Sequence, residues 1–562
     1  MARPTIPVNG LPRATQCDLR RRIVLSVLAA RPLHDRRAQV TTRVSIASNG
    51  TQSDRDTSRA RLSADGRYIA FSSAATNLVA GDTNGVEDIF VRDRLTGTTT
   101  RVSVDSLGNQ ANGESIMCNI SGNGRYVCFQ SLASNLVPGD TNATVDVFVH
   151  DLVTGSTILG SVSSDGEQAN LHSELPGLSP DGRLLAFSSF ASNLVPGDGN
   201  STIDVFIRDL VAGETLRVSF TWDGKESNGI STSPVMSADG RYVAFESDAT
   251  NLVPGDTNGR RDIFVRDCRL DDTIRVSVDS SGGQGYEHCY NPEISGDGHL
   301  VTFTSRSRLV PEDSNGGLDV YMHDLVTAQT VRISVSSDGE EGNGESAGAT
   351  LSRDGRFVAF SSSAGNLIGG DTNGAEDAFV RDLRTGETKR VSIATSGAQG
   401  DGFSYAADTS ADGSAIAFIS DARNLVEGDT NNEGDAFVHD RVALRTNGIP
   451  SAGQPFWFTF FNANAGQIGN LAVVFLSCSG TGGFLLPNGE TLHVDWDACT
   501  RVGLQLIPLL SATVDADGNA NTPPFVFGDV VPGITIYCAA LTYDQVSNAI
   551  ESVTPPIWFE TL

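Results

Sequence analysis

Short apolar runs recur along this chain at a fixed spacing, separated by turns rich in Asp, Asn and Gly. The first set is Tyr68-Ile69-Ala70-Phe71 followed by Ile89-Phe90-Val91. Around it stand the turn Ser63-Ala64-Asp65-Gly66, the loop Gly81-Asp82-Thr83-Asn84-Gly85 and the segment Arg101-Val102-Ser103-Val104. The block is written seven times, with its loop aspartate at Asp82, Asp140, Asp198, Asp256, Asp313, Asp371 and Asp429, at steps of 58, 58, 58, 57, 58 and 58 residues. Such a period marks a repeat architecture, in which one supersecondary unit cannot bury its apolar face alone and must stack on its neighbours.

Each repeat reads as four short strands. In the first copy, one strand ends at the Ser-x-Asp-Gly turn, and the others are Tyr68 to Phe71, Asp88 to Arg92 and Thr99 to Val104. Asp-Gly between short strands predicts a hairpin, because Gly takes positive φ at little cost. The middle strands are continuously apolar rather than alternating, so both of their faces must be covered. Four-stranded sheets stacked face to face around an axis meet that demand. The predicted fold is therefore all-β, a seven-bladed β-propeller of ~58-residue four-stranded repeats. A linear β-solenoid is the runner-up, but its repeats are usually shorter. Arg43-Val44-Ser45-Ile46 precedes the first turn, and the seventh copy, ending at Asp440, lacks such a segment after it. The N-terminal strand is thus expected to complete the last blade as its outermost strand, which removes exposed sheet edges.

Three regions follow: a basic leader (1–40), the propeller (41–444) and a C-terminal domain (447–562). In the last, Phe456 to Phe461, Leu471 to Leu476, Leu504 to Ile507 and Ile534 to Leu541 read as strands between Gly, Pro and Asn turns, which predicts a β-sandwich. Its Trp457, Trp496 and Trp558 are read as core aromatics, with a sugar-stacking platform as the alternative.

The formal net charge is −28, and the only lysines are Lys225 and Lys389. Nucleic acid is excluded as a partner, since phosphate binding needs clustered cations. No apolar run is long enough to span a bilayer. Arg20-Arg21-Arg22 before Ile23 to Ala30 resembles a degraded secretory signal, with a disordered tail as the other reading. An extracellular, periplasmic or envelope location is expected on the first. Eight cysteines form no CxxC pair, which argues against zinc. Cys118 and Cys128 lie symmetrically about Asn123 and are a candidate cross-strand disulfide, two buried thiols being the alternative.

The pattern Leu-Ser-x-Asp-Gly-Arg-Tyr-x-Ala-Phe-Ser-Ser followed by Asp-Ile-Phe-Val-Arg-Asp resembles the TolB-type propeller repeats of bacterial envelope proteins over about 400 residues. The C-terminal domain resembles accessory β-sandwiches of bacterial exoproteins. The resemblance implies the fold; the repeat serves many roles and does not name one. Repeat five departs most, with Glu312 for Gly, Ser314 for Thr and His299 for the turn Arg.

No catalytic residue is assigned. Gly344-Glu345-Ser346-Ala347-Gly348 matches a nucleophile elbow but lacks the strand-turn-helix it needs. Ser346 instead fills a repeat position shared with Ser115, Ser173, Ser231, Cys289 and Ser404. His150, His323 and His439 replace Arg92, Arg208, Arg266 and Arg381 and are read as members of an Arg/His–Asp pair. Sialidase-type repeats separate Asp and Gly by one residue and carry a Trp; here Asp65 and Gly66 adjoin.

The candidate metal site is the acidic loop. Its residues are Asp82, Asn84 and Asp88; Asp140, Asn142 and Asp146; Asp198, Asn200 and Asp204; Asp256, Asn258 and Asp262; Asp313, Asn315 and Asp319; Asp371, Asn373 and Asp377; and Asp429, Asn431 and Asp435. Oxygen ligands on a tight turn suit calcium. The alternative is turn chemistry, in which Asp and Asn bind nearby backbone N–H groups. In a four-stranded meander these loops share a face with the connections between blades, forming a polar, Gly-rich surface. The leading expectation is a non-catalytic module contacting protein or glycan through that face. Alternatives are a carbohydrate-active hydrolase with a carboxylate pair in the channel, which a deep acidic pocket with one raised pKa would favour, and a purely structural exoprotein.

Overall fold

The computed structural model describes residues 39–441 and, as backbone alone, strand segments within 445–560. The leader and the sandwich arrangement of residues 447–562 lie outside the described residues, although Phe456–Phe461 and Leu471–Leu476 do pair as antiparallel strands.

Seven four-stranded antiparallel sheets make seven blades. The first runs from the inner strand Thr57–Leu62 through Tyr68–Ser73 and Asp88–Asp93 to the outer strand Thr98–Arg101. The seventh takes three strands from the end of the array, Ser404–Thr409, Ala415–Ser420 and Asp435–Asp440. Its outer strand is Val40–Arg43, which pairs antiparallel with Asp435–Asp440 in the register Val40 to Asp440 and Arg43 to Phe437. The ring therefore closes by the expected exchange of one N-terminal strand.

The continuous apolar runs have a direct cause. Ile69 and Phe71 pack with Ala415, Ala417 and Val438 of blade seven, whereas Ala70 packs with Val127 and Phe129 of blade two. Successive side chains enter opposite inter-blade interfaces, so neither face is wet. One such core cluster fills each of the seven interfaces. Within each blade two aromatic rings stack, from Phe71–Phe90 at 5.7 Å to Phe418–Phe437 at 5.5 Å.

The Asp-Gly turns form as expected. Ser63 Oγ donates to Asp65, Gly66 takes φ +68°, and the Tyr68 and Gly66 amides donate to Ser63 Oγ and Ser63 O.

The Cys118–Cys128 disulfide is not made. The turn pairs Ile120 with Val127 and Asn119 with Cys128, so Asn119 rather than Cys118 faces Cys128, and the bulge between Ile116 and Asn119 comes only after that pair. Cys118 packs in the interface of blades one and two, and Cys128 in that of blades two and three. Both are free, buried thiols, and burial pushes Cys118 up to about 12.

The histidine pairing is also different. His150, His323 and His439 meet Thr157, Thr330 and Thr41 through Nδ1 at 2.9, 2.8 and 2.9 Å. Asp151, beside His150, is instead held by the turn arginine Arg125 at 2.7 Å, as Asp93 is by Arg67, and Asp440, beside His439, is held by Arg94 of blade one at 2.6 Å. Side-chain alternation decides this: the His and Asp are neighbours in a strand and point to opposite faces. Among the described residues, no helix is long and apolar enough to cross a membrane.

Candidate functional site

The acidic loops lie where the sequence places them, beside the inter-blade connections. Gln110 of the first connection donates to Asp82 at 2.9 Å and to Asp88 at 3.1 Å. Asn84 Nδ2 donates to Asp88 and to Ala111 O, both at 3.1 Å, while its Oδ1 accepts from the Val86 amide. Ser103 donates to Asp88 Oδ1 at 2.5 Å.

The loop carboxylates have a cation already. Arg101 Nη1 stands 3.4 Å from Asp82 and 3.6 Å from Asp88. Arg217, Arg275, Arg332 and Arg390 do the same for Asp198/Asp204, Asp256/Asp262, Asp313/Asp319 and Asp371/Asp377, at 2.9–3.7 Å. Arg43, from the N-terminal strand, reaches Asp429 and Asp435 at 3.1 Å each. Six loops thus hold a buried guanidinium at the candidate calcium position. Asp313, Asp319 and Glu341 place carboxylate oxygens within 4.8 Å of one another, a spacing that suits a metal, but Arg332 contacts all three.

Blade two is the exception, because Leu159 occupies the arginine position. Asp140 and Asp146 there share Gln168 Nε2 at 2.7 and 2.9 Å, and Asn142 turns to Ala169 O. Burial pushes the Asp146 carboxyl up, with no cation to oppose it. Leu159→Arg is expected to supply the missing charge and raise stability by about 1–2 kcal/mol, read as a thermal melt. A lowered melting temperature would mean that Leu159 packing outweighs the charge. Calcium would have to displace a guanidinium in six loops, so restoring millimolar calcium after EDTA is expected to leave the melt unchanged. A rise that disappears in Leu159→Arg would place a calcium ion at blade two.

The arginine role was missed in the sequence. Its signal was available: Arg follows the second loop aspartate by 13 residues in repeats one, three, four, five and six, and fails at Leu159.

A second constellation lies on the axis. The inner strands surround a cavity of about 520 Å³ whose charged lining residues are Arg59, Arg61, Glu293, Arg353 and Asp408. Arg61, Glu293 and Asp408 occupy one repeat position, filled elsewhere by Asn119, Gly177, Val235 and Thr350. Arg61 Nη1 lies 3.7 Å from both Glu293 and Asp408 and donates to Ala407 O at 3.2 Å. Asp408 also accepts from the Leu62 amide at 2.7 Å. Burial, reinforced by Asp408, pushes Glu293 up to about 7, and burial raises Asp408 as well. Burial and the neighbouring Arg61 push Arg59 down to about 10. The inner strands are also strained: Met117, Leu175, Ser233 and Asn291 take φ of 52–54° at their bulges. Left-handed backbone at such residues costs free energy and gathers at functional sites.

At the loop-rich mouth, four aromatics at three repeat positions are exposed. Tyr286, Tyr290, Phe403 and Tyr405 are 79%, 36%, 49% and 47% exposed. They belong to blades five and seven, and Tyr405 reaches into the cavity lining. The Ser404 amide donates to Glu376 O of the sixth acidic loop, which puts this rim on the acidic-loop face.

Ser346 is structural, as the repeat position implied. It is 1% exposed and donates to Ser362 Oγ at 2.8 Å, the bond that Ser115 makes with Ser131.

No protein-family model and no curated protein matches the sequence. Among solved structures, a TolB from Acinetobacter baumannii is 16% identical over 50% of this chain and 54% of that chain, with a TM-score of 0.31. The chain therefore spans about half the length of that TolB. An oligogalacturonate lyase solved with manganese is 14% identical over 71% of this chain and 92% of that one, with a TM-score of 0.43. A Pyrococcus horikoshii acylaminoacyl peptidase is 14% identical over 73% and 56%, with a TM-score of 0.42. Likenesses this distant say nothing about chemistry, and the propeller assignment rests on the seven blades themselves.

Proposed function

We propose that this chain is a non-catalytic binding module of an exported or envelope-associated protein, taking a protein or glycan on the loop-rich face of its propeller. The observation that carries this reading is the exposed aromatic rim, Tyr286, Tyr290, Phe403 and Tyr405, above loops pinned by buried ion pairs. Rigid aromatics of this kind give large contact area at low entropic cost, for sugar faces and protein side chains alike. The repeat supplies the frame, and the residues in which blades differ supply selectivity.

The test is binding on a glycan array and a panel of envelope proteins. Tyr290→Ala and Phe403→Ala are each expected to weaken the ligand at least about tenfold, in line with aromatic anchors elsewhere. A ligand whose affinity ignores both variants, or a protein that binds nothing, defeats the reading. The location is tested by fractionating cells that express the full chain.

A second reading has one specific observation behind it. Glu293 and Asp408 share Arg61, so their nearest oxygens lie no more than twice 3.7 Å apart. That upper limit leaves room for a glycosidase acid and its partner carboxylate, and burial pushes Glu293 up to about 7. Turnover of a glycoside by the wild type, abolished in both Glu293→Gln and Asp408→Asn, would replace the binding reading.

A further inference from the structure

We propose that the propeller channel binds the oxyanion group of a small ligand, a carboxylate or a phosphate, through Arg59, Arg61 and Arg353. This inference goes beyond the aromatic rim and stands whether or not the rim binds a glycan.

Three arginines against two carboxylates leave the cavity net positive, inside a chain of formal charge −28. Both carboxylates are turned to Arg61. Arg59 and Arg353 make no side-chain hydrogen bond and no ion pair among the described residues, although both are half-buried. The blade arginines Arg101, Arg217, Arg275, Arg332 and Arg390, by contrast, each hold carboxylates. A partly desolvated cation without a partner is costly to keep unless something else neutralises it. Guanidinium offers a planar fork of donors that matches carboxylate and phosphate oxygens in pairs.

These cations are also departures from the repeat. The place of Arg59 is taken elsewhere by Met117, Leu175, Ser233, Asn291, Gly348 and Ala406. The place of Arg353 is taken by Ala64, Gly122, Pro180, Ala238, Gly296 and Ala411. Blade packing therefore does not require an arginine at either position. The cavity, about 520 Å³, is the size of a small-molecule site.

Glu293 adds a pH dependence. It is faced by Arg59 and Arg61 of blade one, Arg353 of the sixth blade's turn and Asp408 of blade seven. Burial holds its carboxyl near pH 7, so acidifying from pH 8 to pH 6 neutralises it and leaves the arginines freer for an anion.

The experiment is calorimetric titration of the full-length protein at low salt with glucuronate, glucose 6-phosphate and glucose. At least one charged sugar is expected to bind while glucose does not. Preference for glucuronate assigns a carboxylate, and preference for glucose 6-phosphate assigns a phosphate ester. Arg59→Ala and Arg353→Ala are each expected to weaken binding at least about tenfold without lowering the melting temperature, because neither guanidinium holds a partner. Lys225→Ala, at an exposed ion pair with Asp223, is expected to change nothing. If Arg59→Ala fails to fold, Arg59→Lys, which keeps the charge and loses the fork, is expected to weaken binding. For glucuronate, whose carboxylate stays ionised throughout, affinity should tighten from pH 8 to pH 6 in the wild type and lose that dependence in Glu293→Gln. The proposal is overturned if none of these anions binds, if glucose binds equally well, or if affinity is indifferent to Arg59 and Arg353.

Discussion

Deleting residues 39–46 is expected to lower the melting temperature by on the order of 10 °C or more and to make the protein aggregate. The segment is the outer strand of blade seven, paired with Asp435–Asp440. Its removal bares that strand as an edge and exposes the site of Val44, which is 2% exposed in the fold. Burying a Val side chain is worth about 1.5–3 kcal/mol. It also removes Arg43, 3.1 Å from Asp435, and Ser45, which donates to Asp435 at 2.5 Å. Asp435 is fully buried, and although Ser53 and Asn431 still donate to it, removing the cation from a buried charge costs about 3–5 kcal/mol. Against a total stability of roughly 5–15 kcal/mol, the ring cannot spare this. A peptide covering residues 39–47, added in trans, is expected to recover part of the loss. An unchanged melt would mean that the ring is held shut by something other than this strand.

Arg217→Ala is expected to cost about 3–5 kcal/mol, and more at alkaline than at acid pH. Arg217 Nη1 lies 3.2 Å from Asp198, 3.5 Å from Asp204 and 2.9 Å from Glu226, and its side chain is 4% exposed. Even with Arg217 present, burial and the charge of Asp204 push Asp198 up to about 6. A carboxyl with a raised folded pKa binds more protons folded than unfolded. Its contribution is therefore fully present below 3.8 and declines as pH rises to about 6. Asp82, Asp256, Asp371 and Asp429 shift in the same direction, chiefly by burial. Asp93 and Asp209 run the other way: hydrogen bonds from Arg67 and Arg183 hold each down to about 2. Their stabilisation is full above 3.8 and is lost as pH falls through about 2. The wild type should therefore be most stable at mildly acidic pH. Without Arg217, Asp198 and Asp204 face each other unscreened, and the penalty grows once Asp198 ionises. Urea unfolding of both proteins at pH 5 and pH 8 measures this. Equal losses at the two values would remove the loop carboxylates as the cause.

The blade itself was legible in the sequence. Ile69-Ala70-Phe71 lacks alternation because its side chains enter two interfaces, and that pattern alone implies stacked sheets. Ring closure was legible from the displaced Arg43-Val44-Ser45 segment. The disulfide does not form because the hairpin is not centred on Asn123: its turn pairs Ile120 with Val127 and so sets Asn119, not Cys118, opposite Cys128. The histidine partner was misjudged because neighbours in sequence point to opposite faces of a strand. The loop acids recur visibly in the sequence, but the arginine that neutralises them arrives from another strand of the blade.

Turn formation, strand burial and repeat length act over a few residues, and the linear order of side chains is enough to dictate them. The partners of charged groups depend instead on distance in space. Arg43 meets Asp435 across 392 residues, and Arg61, Glu293, Arg353 and Asp408 come from blades one, five, six and seven. Only closing the ring turns one position of every inner strand toward a common axis. There, five departures from the repeat, Arg59, Arg61 and Arg353 with Glu293 and Asp408, unremarkable when read one at a time, become a single buried site.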